Sequence, residues 1–324
     1  MLRTRLTEFL RIAHPILSAP MAFAAGGRLA AAVSAAGGLG LIGGGYGDAD
    51  WLEREFVAAG NARVGCGFIG WSIADKPDVL AKALAHAPAA VMTSFADPAR
   101  LSVAIKDAGS ALLCQVQTLD HARAALDAGA DVVIAQGTEA GGHGASRATF
   151  TLVPEIADLL AARSPNTLLM AAGGVADGRG LAAALMLGAD GVLVGSRFWA
   201  STEAAVHPNH HRAALAANGD GTIRQRATDI ARLYPWPAEF TGRVLKNAFT
   251  ERWHGREDEL RAQAEQLNPA YMSGVAAGDP DNVGVWVGEA TGLIQAIEPA
   301  GQIIAGMVEQ AAALLSKRAP AFVV

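Results

Sequence analysis

The run Asp127-Ala128-Gly129-Ala130-Asp131-Val132-Val133-Ile134-Ala135-Gln136-Gly137-Thr138 contains a helix end, a strand and the start of a loop. Asp127-Ala128-Gly129 is a helix stop, because glycine takes the left-handed conformation that closes a last turn at no steric cost. Asp131 ends the turn into Val132 to Ala135, an apolar, β-branched run too short for a helix. That is the pattern of a strand covered on both faces, as in a parallel sheet. Polar residues and glycines follow at once, so the strand opens into a loop. The helix-end signature returns at Asp107-Ala108-Gly109 and at Leu187-Gly188-Ala189-Asp190, so the unit repeats.

Towards the amino terminus the alternation gives strands over Pro15 to Met21, Leu39 to Ile42, Arg63 to Ile69, Ala89 to Met92 and Ala111 to Gln115. Helices fit Arg28 to Ala36, Asp50 to Ala59, Pro77 to Ala85, Pro98 to Asp107 and Leu119 to Ala128 between them. Towards the carboxyl terminus come a helix over Val153 to Ala162, a strand over Leu168 to Ala171, a helix over Gly180 to Leu187 and a strand over Gly191 to Val194. About eight strand-helix units make an α/β chain that closes into a TIM (β/α)8 barrel. An open doubly wound sheet shares the local patterns but needs a half-way break in topology, and none is visible. The expected barrel takes residues 1–200 and 274–324. Residues 201–273 are richer in charge, tryptophan and histidine, and are expected to form a helical insertion, a lid and substrate domain over the barrel mouth. The last helix, Pro299 to Lys317, carries Ile304, Met307, Val308, Ala311, Leu314 and Leu315 on one face and should pack back on the barrel.

With 324 residues, 51% hydrophobic and 18% charged, the chain can bury a large core. Its net charge of -5 and its lack of a Lys/Arg run argue against a nucleic-acid surface. No apolar stretch is long enough to span a bilayer, and Met1 to Glu8 has no signal pattern, so the expected location is cytoplasmic, with no membrane partner. Cys66 and Cys114 sit in strand-like apolar runs and read as reduced core residues.

In a parallel α/β fold the loops at the carboxyl ends of strands carry ligands and chemistry, which presents Gln136, Glu139, Gly141, Gly142 and His143 at the functional face. His143 alone among them titrates near neutral pH. Gly38-Leu39-Gly40-Leu41-Ile42-Gly43 matches the dinucleotide fingerprint literally, yet it runs from a helix end into a strand, the reverse of what that motif requires. Gly43-Gly44-Gly45 reads either as a flexible turn or as a strand end left bare for a flat ring. Ala172-Gly173-Gly174 after the seventh strand and Gly195-Ser196 after the eighth occupy the two loops from which such barrels build a phosphate site. His207, His210 and His211 have no cysteine or carboxylate beside them and read as partly exposed helix-start residues; no metal is expected. Trp236, Trp253 and Trp286 either line a substrate pocket or fill the core of the lid.

These residues together resemble the FMN-dependent nitronate monooxygenases, formerly called 2-nitropropane dioxygenases. The marks are His14-Pro15-Ile16 leading to Ala19-Pro20-Met21, Ala35-Ala36-Gly37-Gly38-Leu39-Gly40, Gln136 to His143, Ala172 to Arg179 and Gly195-Ser196-Arg197-Phe198. The resemblance implies an oxidoreductase that uses FMN and O2 to convert alkyl nitronates, or nitroalkanes, to a carbonyl compound and nitrite. FMN-dependent reductases that use NAD(P)H share the motifs and are the alternative. The resemblance puts the FMN phosphate on Gly173, Gly174, Gly195 and Ser196, beside Ala172, and the isoalloxazine near Ala19, Pro20, Met21, Gln115, Gln136, Gly141 and Gly142. His143 matches the catalytic histidine, and Glu139 and the lid residues are the candidates to orient it. Two positions depart from some relatives: Gly67 replaces an asparagine and Gln115 a lysine. Assembly into a homo-oligomer is left open.

Overall fold

The computed structural model describes residues 2–322, so residues 1, 323 and 324 of the expected barrel range lie outside the described residues. Eight parallel strands form the central sheet: β1 (Ile16–Ser18), β2 (Leu41–Gly45), β3 (Gly65–Ile69), β4 (Ala90–Ser94), β5 (Ala111–Val116), β6 (Val132–Gln136), β8 (Leu168–Ala172) and β9 (Gly191–Val194). The strand β7 (Gly142–Gly144) belongs elsewhere. The sheet runs in the order β1-β9-β8-β6-β5-β4-β3-β2, and a parallel bridge between Leu17 and Leu39 closes β2 onto β1. The closed ring is the expected TIM barrel.

Alternation along each strand splits the core in two. Leu17, Leu41, Met92, Leu113, Ile134, Met170 and Leu193 fill the barrel interior, whereas Ile42, Val91, Cys114, Val133, Leu169 and Val192 meet the surrounding helices. Helix Arg5–Leu10, absent from the sequence reading because it is short, plugs the bottom with the fully buried Leu6 and Leu10. The recurrent Ala-Asp at helix ends has a structural reason. Asp131 accepts the backbone N–H of Leu112, and Asp190 accepts that of Leu169, so each carboxylate ties the start of its own strand to the neighbouring one. Arg5 then clamps Asp190 through two 2.8 Å hydrogen bonds.

The expected helices form, with ends shifted by a residue or two. The largest shift is at Thr149–Arg163, expected from Val153, because the Glu139 carboxylate accepts the Thr149 N–H and hydroxyl and starts the helix a turn early. The final helix is Ala300–Ala313, followed by a wider π turn over Leu314–Arg318. Gly43-Gly44-Gly45 is strand, not a flexible turn: a Cβ on Gly43 would collide with the Met21 carbonyl, and one on Gly44 with the Phe68 ring. Gly40 of the false fingerprint lies against the Ala30 backbone and serves helix-strand packing. Burial pushes the Cys66 and Cys114 thiols up to about 12, so both remain inert core residues.

The segment over the mouth is not helix alone. It adds β10 (Thr222–Gln225) and β11 (Thr241–Leu245), which pair antiparallel, and β11 continues onto β7 with Gly242 opposite His143. The sequence reading contained neither strand, because their apolar residues are few and their pairing partner lies in the barrel loop. Helix Ala264–Ala277 runs across the expected boundary at 273/274, and the chain rejoins the barrel wall at Ala300. Among the described residues no helix is long and apolar enough to cross a membrane.

Candidate active site

A cavity of about 680 Å³ opens at the carboxyl ends of the strands. Ala19, Pro20, Met21, Gln115, Gln136, Gly141, Gly142, His143, Ala172, Gly173, Gly174, Gly195 and Ser196 all line it. Sequence separations of up to about the whole barrel collapse here because parallel strands present all their carboxyl ends on one face.

His143 lies on β7, and its position is fixed from three sides. Nε2 is 3.0 and 2.9 Å from the two carboxylate oxygens of Asp229. Its ring stacks on Trp236 with centroids 3.4 Å apart and planes inclined by 6°. Its backbone carbonyl accepts from the Gln136 amide at 3.0 Å. An ionised carboxylate only accepts, so Asp229 assigns the proton to Nε2 and leaves Nδ1 as the basic nitrogen. Among the described residues nothing hydrogen-bonds Nδ1. Burial lowers the imidazole pKa from its ordinary value, against the upward pull of the Asp229 hydrogen bond and charge. The ring is therefore neutral at neutral pH and available as a base.

Asp229 is the orienting residue that the sequence reading could not choose. It stands on the short helix Ala227–Ala231 of the insertion, far from His143 in the chain, with no motif around it. Glu139, the other candidate, is committed to the start of helix Thr149–Arg163. The loop that carries His143 is held by two insertion arginines. Arg224 donates to the carbonyls of Thr138 and Ala140, and Arg243 donates to Thr138 while pairing with Glu289 at 2.8 Å. Burial, then the nearby Arg243, brings Arg224 down to about 10, so it still carries its charge at neutral pH.

Gln136 links the histidine loop to the barrel, because its amide oxygen accepts from Gln117 at 2.9 Å. Gln117 was missed although, like Gln115 and Gln136, it sits at a strand's carboxyl end, and that position was the available signal. The tryptophans divide. Trp236 and Trp286 line the cavity, and Trp253 packs in the insertion core with Ala227 and Leu260. The three histidines do not converge: His211 Nε2 pairs with the Trp199 carbonyl, and His207 Nδ1 accepts the Asn209 N–H. His207 and His210 line a side of the cavity, with ring centroids 6.1 Å apart.

Glycines line other parts of the wall. Gly142, Gly174 and Gly195 line the cavity, and a Cβ at any of them would meet no protein atom within 3.4 Å. The Gly174 N–H has no acceptor among the described residues, and that of Ser196 is a free first-turn donor of helix Ser196–Trp199. The Ser196 hydroxyl accepts from Gly288 at 2.8 Å and keeps its own proton for another acceptor.

Comparison with known proteins places this geometry. A family model described as nitronate monooxygenase matches residues 3–63 and 69–310. A nitronate monooxygenase from Neurospora crassa is 31% identical, over 93% of this chain and 90% of its own length. Among solved structures, FabK from Thermotoga maritima is similar with a TM-score of 0.86 and 33% identity, covering 99% of both chains. Nitroalkane oxidase from Streptomyces ansochromogenes is similar with a TM-score of 0.80 and 26% identity, over 95% of this chain and 97% of that one. Sequence and fold agree over the whole barrel and the insertion, and the chain belongs to the nitronate monooxygenase family of oxidoreductases.

Proposed function

We propose that this chain binds FMN non-covalently across the barrel mouth and oxidises alkyl nitronates with O2 to a carbonyl compound and nitrite, accepting neutral nitroalkanes through His143. The observation that carries this reading is the neutral, oriented imidazole of His143 in a cavity whose other wall is bare glycine. FMN fits that wall. Its phosphate would be held by Gly173, Gly174, Gly195 and Ser196 with Ala172 behind them, where free N–H groups and the Ser196 hydroxyl supply donors. Its ring system would rest among Ala19, Pro20, Met21, Gln115, Gln136, Gly141 and Gly142. When bound, FMN supplies the electron transfer and the reaction with O2.

The protein supplies the rest. His143 Nδ1 removes the carbon-bound proton of a nitroalkane, and Asp229 stabilises the imidazolium that results. The residues of the insertion, from about 201 through helix Ala264–Ala277 to the start of the last helix, act as the lid and substrate domain over the barrel. They contribute Asp229, against His143, and Trp236, in the cavity wall. The Gly67 departure has a steric reason, since a Cβ there would run into Pro20, and Gln115 leaves the wall uncharged at that point.

The purified protein should be yellow and release FMN. Anaerobic mixing with an alkyl nitronate should bleach the flavin, whereas NADH and NADPH should not. Bleaching by a nicotinamide alone would move the assignment to the NAD(P)H-using reductases that share the motifs.

A further inference from the structure

On the insertion side of the cavity stands a cation with no counter-ion. Arg232 lines the cavity, and among the described residues no carboxylate lies within 4.0 Å of it and no acceptor takes its guanidinium hydrogens. The other two insertion arginines at the site, Arg224 and Arg243, are spent on loop carbonyls and Glu289. Arg232 lies over two rings instead: its guanidinium carbon is 4.6 Å from the Tyr234 ring centroid and 5.8 Å from that of Trp286. A ring face attracts the charge but offers the N–H donors no conventional acceptor, so the guanidinium edge remains without a hydrogen-bond partner. Its charge acts on Tyr46, His143 and Tyr271, three side chains facing the same space. Asp229 is close enough to act on the same two tyrosines, but both its oxygens are turned to His143.

Around this cation the walls are aromatic. Tyr46 stacks on Tyr234 with centroids 4.1 Å apart, and Phe95 meets Trp236 edge-on at 5.1 Å. The Tyr46 hydroxyl accepts the Trp236 indole N–H at 3.0 Å and keeps its own proton as a donor. Arg232 is the charged group with unmatched donors among these rings. A half-buried guanidinium with unmatched donors beside stacked rings is suited to a planar two-oxygen anion attached to a flat apolar body.

We infer that Arg232 anchors the anionic end of the substrate, and that the substrate is an arene-bearing nitronate with its ring among Tyr46, Phe95, Trp236 and Trp286. The O–N–O edge of a nitronate and the O–C–O edge of a carboxylate present the same pair of acceptors to the fork. Benzoate is therefore a stable probe and benzamide its neutral control. This inference rests on the reading of the cavity as a nitronate site only for the identity of the anion.

The test is calorimetric titration of the flavin-loaded protein with benzoate and benzamide, in the wild type, Arg232→Met and Arg232→Lys, with kinetics on phenylnitromethane nitronate and ethyl nitronate. Methionine keeps length and ring contact without charge, and lysine keeps charge without the fork. Benzoate should bind the wild type at least ~10-fold more tightly than benzamide, about 1.4 kcal/mol. Arg232→Met should lose that preference, and Arg232→Lys should keep only part of it. The KM for phenylnitromethane nitronate should be ~10-fold below that for ethyl nitronate and should rise in Arg232→Met with kcat little changed. Equal binding of the two probes by the wild type, or full benzoate affinity in either variant, would overturn the anchor. Equal KM values for the two nitronates would overturn the arene. If no nitronate bleaches the flavin while benzoate still depends on Arg232, the oxidation reading fails and the anion anchor stands.

Discussion

At one end of the cavity the wall is backbone: Gly174 and Gly195 leave open the space where side chains would stand, and the N–H groups of Gly174 and Ser196 have no acceptor among the described residues. At the other end the wall is side chain, with His143 stacked on Trp236, locked to Asp229 and neighboured by Arg232. The first end comes from loops that directly follow barrel strands. The second depends on an insertion that reaches over the mouth and pairs β11 with β7. A barrel thus provides a place to hold a ligand through geometry common to the fold. The side chains that fix His143, Asp229 and Trp236, come from what is laid across it.

If the two ends divide the work in that way, substitutions at each should fail differently. His143→Asn should lower turnover of a neutral nitroalkane by about 10²–10⁴-fold, the usual share of a positioned base, while the matching nitronate loses far less and FMN content stays constant. Oxygen-consumption kinetics on both substrates measure the split, and equal losses would make His143 an anion binder instead. Gly174→Asp attacks the other end. Its backbone sits at φ +75°, and the new carboxylate would face the phosphate, so FMN affinity should fall at least ~100-fold, read from the flavin-to-protein ratio. A Gly174→Asp protein that kept its flavin would remove the phosphate from this loop.

Asp229→Asn sharpens the comparison from within the reacting end. It should cost about 10-fold in nitroalkane kcat/KM and leave FMN binding intact. Because burial already holds the His143 imidazole low and Asp229 pulls it back up, removing that charge should move the acid limb of the nitroalkane pH profile to still lower pH. An unmoved limb would mean that another group titrates.

The smallest expected effect is on stability. The folded-state pKa of His143 lies below the ordinary 6.5, so the unfolded chain takes up its proton first as pH falls. Stability is complete above about pH 6.5 and declines below it, down to the folded value. Thermal melts between about pH 7 and pH 5 should therefore slope less in His143→Asn than in the wild type, with the remaining slope left to His14 and His210, which burial also holds low.

Much of this molecule was legible in order along the chain. The buried run Val132 to Ala135, the repeated helix stops and the Ala-Asp pairs identify strand-helix units, because burial on both faces and helix termination leave local marks. Counting the units gave the barrel. Parallel strands bring their carboxyl ends to one face, so Gln115, Gln136, His143, Gly174 and Ser196 could be assigned to one site before any distance was known. Helix Arg5–Leu10 escaped because a plug of a turn and a half has too few residues for a period.

What tertiary structure alone decided is the company His143 keeps. Glu139 is nearer in sequence, yet it caps a helix, and Asp229 reaches Nε2 across 86 residues. Trp236 and Trp253 look equivalent as letters, and only packing puts one on the imidazole and the other in the insertion core. Strands β10 and β11 carry little apolar signal, since their stability comes from pairing with each other and with a glycine-rich loop of the barrel. Periodicity and termination act between near neighbours and can be read from the order of residues. A charge pair, a ring stack and an antiparallel register join distant residues, and they exist only once the chain has closed on itself.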